Sequence, residues 1–467
     1  MRRLAAEAVQ DVLSGLGAAR TLLERMEQEH ALDARGRGLL TELVYGVVRR
    51  VQTLDAVLES RVKRGLDSLD DDVIAHLRVG AYQLLFLERI GAHVVVDAQV
   101  DAYGKPQARG LLNAVLRRLG REVLVRGDGE AGDAPRAKLV VGRSTGWAVL
   151  SEPTFPTVFA PWLSLSAGLP RSWVDAYVDE LGEERALEVA RGQAAPPPLY
   201  LRANLLRGER DALLAELKQA QPGELPESVK LGSARGPLGV SPSNSLARAR
   251  GPRRGPLRFG DAAPLVAAGR ATVQDETAMH VARAVDPQPG ERVVDLCAAP
   301  GGKATHLAEL MRDQGRVDAC DVEPDRVARL EQAVARLGLS SVVCSQIDPA
   351  DPRPPEGAPI DRILVDVPCS NSGVARRRVE VRHRTHTLDL RGLLELQARL
   401  LDRAVELVRP GGVVVYSTCS IGREENAAQV QAALARHPGL ALESERAAWP
   451  TVDGPDGGYL AVLRKPE

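Results

Sequence analysis

The side chains able to do covalent chemistry are gathered in one part of this chain. Its five cysteines are Cys297, Cys320, Cys344, Cys369 and Cys419, and no cysteine precedes position 297. The count is odd, the spacings repeat no pattern and no CxxC occurs, so neither a disulfide framework nor a metal site is expected. Two of the thiols sit in similar settings. Asp366-Val367-Pro368-Cys369-Ser370 and Ser417-Thr418-Cys419-Ser420 each follow a short apolar run directly. One such cysteine is more often a small buried hydrophobe than a nucleophile. Two at equivalent positions, with a carboxylate and a Gly-rich turn nearby, point to nucleophilic chemistry.

That turn is Asp295-Leu296-Cys297-Ala298-Ala299-Pro300-Gly301-Gly302-Lys303. A phosphate-binding Walker loop needs Gly at position 297 and Ser or Thr at 304, and a dinucleotide fingerprint needs another glycine spacing. The paired glycines still let backbone approach a ligand closely. The helix predicted after them offers free N–H groups to a carboxylate. Lys303 stands out because the chain has seven lysines against 54 arginines. Residues Cys297, Ala298, Ala299, Pro300, Gly301, Gly302 and Lys303 are therefore read as a cofactor loop. Asp321, at the end of the next predicted strand, is placed to accept hydrogen bonds from ribose hydroxyls. Asp348, just past a third strand, could face an adenine amino group.

These residues need a scaffold, and the sequence supplies one. Val293–Leu296, Arg316–Cys320, Val342–Cys344, Ile363–Val365 and Val413–Tyr416 are predicted strands. Ala304–Met311, Pro324–Leu337 and Leu393–Val408 are predicted helices between them. This alternation predicts an α/β fold with a doubly wound parallel sheet over residues 271–467. Ligands bind beyond the carboxyl ends of such strands, where several of the polar residues fall. Residues 1–125 read as all-α, with helical stripes at Leu77, Ala81, Leu84, Leu85 and at Leu112, Val115, Leu116, Leu119. Residues 126–165, centred on Gly127–Pro135, are a linker by composition. Residues 166–270 are expected to form a small mixed α/β subdomain, with a strand at Leu199–Arg202 and a short helix at Asp211–Ala220.

Lys+Arg at 61 nearly cancel Asp+Glu at 62, so any nucleic-acid binding must rest on local patches. One candidate is residues 374–391, where six arginines face only Glu380 and Asp389. There Arg376, Arg377, Arg378, Arg382 and Arg384 are expected to contact phosphate. Another is the run of five arginines from Arg248 to Arg258, either a solvated loop or a phosphate-touching arm. The start is acidic by Glu7 and Asp11, and no apolar stretch is long enough to span a membrane. A cytoplasmic protein with reduced thiols, no membrane contact and no obligate protein partner is expected.

Two resemblances sharpen this reading. Asp33-Ala34-Arg35, Glu42–Arg50, Leu77–Leu85 and Leu112–Arg118 resemble the helical RNA-binding domain of the antitermination factor NusB. The segments AAPGGK, DVPCS and STCS, the last followed by Glu424-Glu425-Asn426, resemble the Sun/Fmu family of RNA cytosine-5 methyltransferases. Val273-Gln274-Asp275-Glu276 and Asp456–Ala461 fit the same family. The resemblance implies a Rossmann-like methyltransferase domain that uses S-adenosylmethionine, with RNA as partner and 16S rRNA as target. It implies that Cys419 is the thiol that adds to cytosine C6, making C5 nucleophilic. Cys369 would help remove the C5 proton, and Asp366 would hold the base at N3 and N4. Lys303 could favour the Cys419 thiolate. Cys297 to Lys303, Asp321, Asp348 and Asp366 would line the cofactor pocket.

The chain departs from the family pattern in three places. Val379-Glu380 and His383 stand where Pro-Asp and Trp are usual, Asn371-Ser372 replaces a pair of small residues, and the usual Gly-Asp is missing near Asp348. The same chemistry on 23S rRNA or tRNA, or a non-catalytic RNA-binding assembly factor, stays open at this point.

Overall fold

The computed structural model describes residues 1–87, 90–125, 134–142, 146–233, 259–384 and 388–467. The chain divides into two compact units. The first holds Met1–Pro197 together with Ala375–Thr387, and the second holds Pro198–Ala234, Gly255–Val374 and Leu388–Glu467. The arginine run from Arg248 to Arg258 lies outside the described residues, as does most of Gly127–Pro135.

The first unit opens with helices Arg2–Leu13, Ala19–Glu29, Ala34–Glu59, Asp71–Phe86, Ala92–Tyr103 and Arg109–Glu122. Asp33 starts the long third helix by accepting the Gly36 N–H at 2.7 Å. Its crossing with Asp71–Phe86 depends on Gly46, where a Cβ would stand 2.0 Å from the Tyr82 ring. Strands β1 (Val123–Val125), β2 (Leu139–Val141) and β3 (Trp147–Leu150) follow as an antiparallel sheet in the order β1-β3-β2. Helices Phe159–Ala167 and Arg171–Ala194 close the unit's main segment.

The expected linker is therefore partly structured. Leu139-Val140-Val141 is buried, and Trp162 Nε1 donates to the Leu139 carbonyl at 3.1 Å. That packing ties residues 134–197 to the helical unit, so the division falls after Pro197 rather than at 165.

In the second unit, β4 (Pro198–Ala203), β5 (Gln221–Pro222), β6 (Ser228–Ser233) and β7 (Ala271–Val273) form an antiparallel sheet in the order β5-β6-β4-β7. The larger sheet contains β8 (Arg292–Asp295), β9 (Arg316–Asp321), β10 (Val342–Gln346), β11 (Ile360–Asp366), β12 (Val408–Thr418), β13 (Ala441–Ala448) and β14 (Gly458–Arg464). Their order is β10-β9-β8-β11-β12-β14-β13, with β8 to β12 parallel and β14 antiparallel to both neighbours. Successive residues alternate between two apolar layers, as the strand period requires. Val294, Ile363, Val365 and Val414 pack with helices Leu390–Leu407 and Ala427–Arg436. Val293, Leu364 and Val415 pack with helices Glu276–Val285, Gly302–Leu310 and Pro324–Leu337. The strand order reverses between β8 and β11. Asp295, Asp321, Asp366 and Thr418 end their strands along one edge, beside that switch point. Among the described residues no helix is long and apolar enough to cross a membrane.

Candidate active site

The loop after β8 turns tightly. Gly301 donates to the Ala298 carbonyl at 2.8 Å and takes φ 102°, a conformation suited to glycine. Helix Gly302–Leu310 begins at once. Asp321 holds this loop from the next strand, its Oδ2 accepting the Ala299 N–H at 3.2 Å while Oδ1 accepts Val322 N–H at 2.9 Å. Asp348 stands apart. It is exposed, and its Oδ1 accepts the Ala350 N–H at 2.8 Å in a local turn.

Lys303 reaches Asp366 at the end of β11, with Nζ 2.7 Å from Oδ2. The other oxygen of Asp366 accepts the Ser417 hydroxyl at 2.7 Å, consistent with the Asp366–Ser417 register of β11 and β12. Burial pulls the Lys303 ammonium down, but Asp366, with Cys419 and Asp295, lifts it above its ordinary value. Asp295, at the end of β8, is buried, and its Oδ2 has no hydrogen-bond partner among the described residues. Burial, reinforced by the neighbouring Asp366 charge, pushes its carboxyl up to about 7.

The two thiols meet. Cys369 Sγ lies 3.0 Å from Cys419 Sγ, well beyond an S–S bond of about 2.05 Å. All five cysteines are free. The hydrogen bond to Cys419, together with burial, raises the Cys369 thiol well above its ordinary value. Asn371, held at φ 62°, bridges the pair: its Nδ2 donates to the Cys369 carbonyl at 2.7 Å and its Oδ1 accepts from Cys419 Sγ at 3.2 Å. Cys320 is buried in the core, its thiol pushed up to about 12 by burial first. Cys297 is partly buried in the loop, with its N–H 3.3 Å from Asp295 Oδ1.

The structure thus brings Lys303, Asp366, Cys369 and Cys419 to one sheet edge, with Cys297 to Gly302 and Asp321 alongside. The five arginines fall in the other unit, within Ala375–Thr387. Two of them cannot meet phosphate there, because they are interior. Arg376 is 0% and Arg382 1% exposed. Arg382 donates to the carbonyls of Arg49 at 3.0 Å and Gly168 at 3.1 Å, and to that of Gln193. Arg378 and Arg384 are exposed, and Arg377 is half-buried. His383, where the family pattern has a different residue, lies 2.8 Å from the Val48 carbonyl.

Two carboxylates escaped the sequence reading. Asp295 was visible as the last residue of a predicted strand, next to the Gly-rich turn. Glu425 was visible only as a motif neighbour, yet it gathers the serines that follow both thiols.

Residues 282–458 match the family described as 16S rRNA methyltransferase RsmB/F, and residues 1–121 match the NusB family. A probable ribosomal RNA small subunit methyltransferase B of Bacillus subtilis (strain 168) is 32% identical over 447 residues, covering 94% of this chain and 89% of that protein. The ribosomal RNA small subunit methyltransferase B of Pseudomonas putida (strain KT2440) is 34% identical over 487 residues, covering 99% and 98%. The crystal structure of PH0851 shares the fold, with TM-score 0.70 at 23% identity over 100% of this chain and 99% of that one.

Proposed function

The chain belongs to the RsmB/F family of 16S rRNA methyltransferases, and from that premise we propose that Cys419 and Cys369 divide one reaction between them. The activity is S-adenosylmethionine-dependent methylation of cytosine C5 in small-subunit rRNA, through a covalent Cys–C6 adduct. The observation that carries the assignment of residues is the 3.0 Å approach of two thiols beside Lys303 and Asp366.

The residues at the loop fit the methyl donor. Asp295 Oδ2 is a buried acceptor with no partner among the described residues, while Asp366 is paired with Lys303 and Asp321 lies 3.3 Å from Arg326. A Cβ at Gly302 would meet nothing closer than the Gln274 side chain at 3.8 Å, so the helix N-terminus has room before it. Cys297 to Lys303, with Asp295, Asp321 and Asp366, would hold the group. Bound there, it supplies an electrophilic methyl.

Asp366 orients the base by accepting from its N4 amino group, as carboxylates do with cytosine. Cys419 adds as thiolate to C6, and the electron pair displaced onto C5 takes the methyl. Cys369 serves the second half. Its thiol is held protonated by the hydrogen bond to Cys419 and by burial. Once Cys419 is bonded to carbon, the hydrogen bond to its thiol no longer holds the Cys369 proton, and burial is the cause that remains. Cys369 can then ionise to solvent and take the C5 proton. The C5–H electron pair reforms the C5–C6 double bond, and Cys419 leaves as thiolate. The target base must leave any stack to reach the thiols.

Arg378 and Arg384, exposed in the NusB-like unit's own segment, are the proposed phosphate contacts, and we place the reaction in the cytoplasm. Bisulfite mapping of rRNA and tRNA from a strain lacking the gene tests the assignment. Loss of one 5-methylcytosine in 16S rRNA supports it, and loss from 23S rRNA or tRNA, or no loss, overturns it.

A further inference from the structure

Each proposed reacting cysteine is followed by a serine, Ser370 after Cys369 and Ser420 after Cys419. Both hydroxyls donate to one oxygen, Glu425 Oε2. The other oxygen, Oε1, accepts the Ser370 N–H at 2.8 Å and the Gln397 amide at 3.1 Å. Gln397 also donates to the Pro368 carbonyl at 2.9 Å, just before Cys369. Glu425 is itself anchored, since the Tyr416 hydroxyl donates to its carbonyl at 2.7 Å. Ser372 extends the cluster, with its Oγ 2.9 Å from Ser420 Oγ and 3.2 Å from Ser370 Oγ. It also accepts the Ile421 N–H at 3.0 Å.

Burying a carboxylate is costly unless donors replace its water. Glu425 is only 3% exposed and has four donors, so the cluster is fixed rather than fluid. It ties the loop leaving β11 to the loop leaving β12. Two sulphurs at 3.0 Å are closer than even carbon atoms at their optimum of about 3.5–4.0 Å, so the loops must hold them there.

We propose that Glu425 is a positioning residue that sets the approach of Cys369 and Cys419 by holding Ser370 and Ser420 on one carboxylate. The consequence for turnover rests on the roles given above to the two thiols. With the approach relaxed, Cys419 can still add to C6, while Cys369 is misplaced for the C5 proton.

The test uses the full-length protein and diamide, which takes two thiols to a disulfide and is itself reduced to the hydrazine. Peptide mass mapping follows Cys369–Cys419 closure. Glu425→Gln and Ser420→Ala should slow closure about tenfold or more, as a displacement near 1 Å can cost even more. Ser420→Thr, which keeps the hydroxyl, should close at the wild-type rate. S-adenosylmethionine affinity without RNA should stay at its wild-type value in all three. Glu425→Gln should also leave a larger fraction of enzyme trapped as RNA adduct than wild type does. Wild-type closure rates in Glu425→Gln and Ser420→Ala would overturn the proposal. So would loss of cofactor affinity in every variant, which marks a general structural role. Adduct formation by Cys419→Ala would instead overturn the roles of the thiols, while the closure rates still decide the role of Glu425.

Discussion

Lys303 Nζ lies 2.7 Å from Asp366 Oδ2, so the lysine of the glycine-rich loop is committed to the carboxylate at the end of β11. Cys419 is near enough to feel the ammonium charge across space, while the hydrogen bond goes to Asp366. Asp366 in turn is held from both sides, by Lys303 and by Ser417. A carboxylate fixed in this way is oriented before the base arrives.

Asp366→Asn should lower kcat/KM by about 100-fold or more, the scale of losing a positioned charged group. The raised Lys303 pKa means the pair's contribution is fully present below the unfolded value of 10.5 and is lost only as pH rises beyond it. The wild-type kcat/KM profile should therefore show no lysine limb between about pH 6 and 9. Asp366→Asn removes the main cause of the elevation, so a falling limb should move to lower pH. A rate-versus-pH series on both proteins checks this.

Asp295 predicts a stability effect with the opposite sign to an ordinary salt-bridged acid. Its folded value, about 7, lies above the unfolded 3.8. Between those values the folded chain keeps a proton that the unfolded chain has lost, so stability falls as pH rises through the window and then levels off. Asp295→Asn removes the titration. Its unfolding free energy relative to wild type, without cofactor, should climb from pH 4 to 7 and then stay level, with a limiting difference on the order of 4 kcal/mol in urea unfolding. A difference that does not change with pH would show that Asp295 titrates normally.

Arg202 joins the small sheet to the cofactor loop. Its guanidinium donates to both Glu309 oxygens at 3.1 and 2.8 Å, to Thr305 at 3.0 Å and to the Gly302 carbonyl at 2.6 Å. Both charges of the Arg202–Glu309 pair are buried. Arg202→Met leaves Glu309 uncompensated and should cost about 3–5 kcal/mol in urea unfolding. The freed Gly302 carbonyl should also weaken S-adenosylmethionine binding, read by calorimetry. Unchanged stability would mean that the pair is not formed in solution.

Arg382 and Arg384 should separate packing from RNA contact. Arg382→Met removes donors from three carbonyls and should destabilise the protein by about 3 kcal/mol. Arg384→Gln, at an exposed position, should lower the melting temperature much less than Arg382→Met does and reduce the salt slope of RNA binding by about one. The reverse pattern would return Arg382 to the RNA surface.

Where the sequence was legible, a local physical signal matched the final environment. Strands β8, β11 and β12 are buried on both faces, so they read as continuous apolar runs such as Ile363-Leu364-Val365. Helix Pro324–Leu337 is bounded by a proline at its start and by Gly338, at φ 72°, just after its end. Strand β13 gave no such signal, because six of the eight residues of Ala441–Ala448 are exposed and its pairing with β14 is set by the backbone. Strands β2 and β3 are too short for a periodicity to show. The interior arginines were illegible for a different reason. A local excess of positive charge suggested phosphate, whereas the acceptors of Arg382 are carbonyls at 49, 168 and 193. Glu425 was hidden in the same way, since its importance lies in gathering two separate loops.

The most direct test of the central claim is the chemical identity of the trapped intermediate. Cys369→Ala should add to cytosine C6 and fail to release, so an RNA adduct should accumulate on a denaturing gel. Nuclease and protease digestion followed by mass spectrometry then locates the linkage. The account predicts a 5-methylcytosine nucleotide bonded through Cys419, and no adduct in the Cys369→Ala, Cys419→Ala double variant. A nucleotide bonded to any other residue, or methyl transfer that persists in Cys419→Ala, would contradict it.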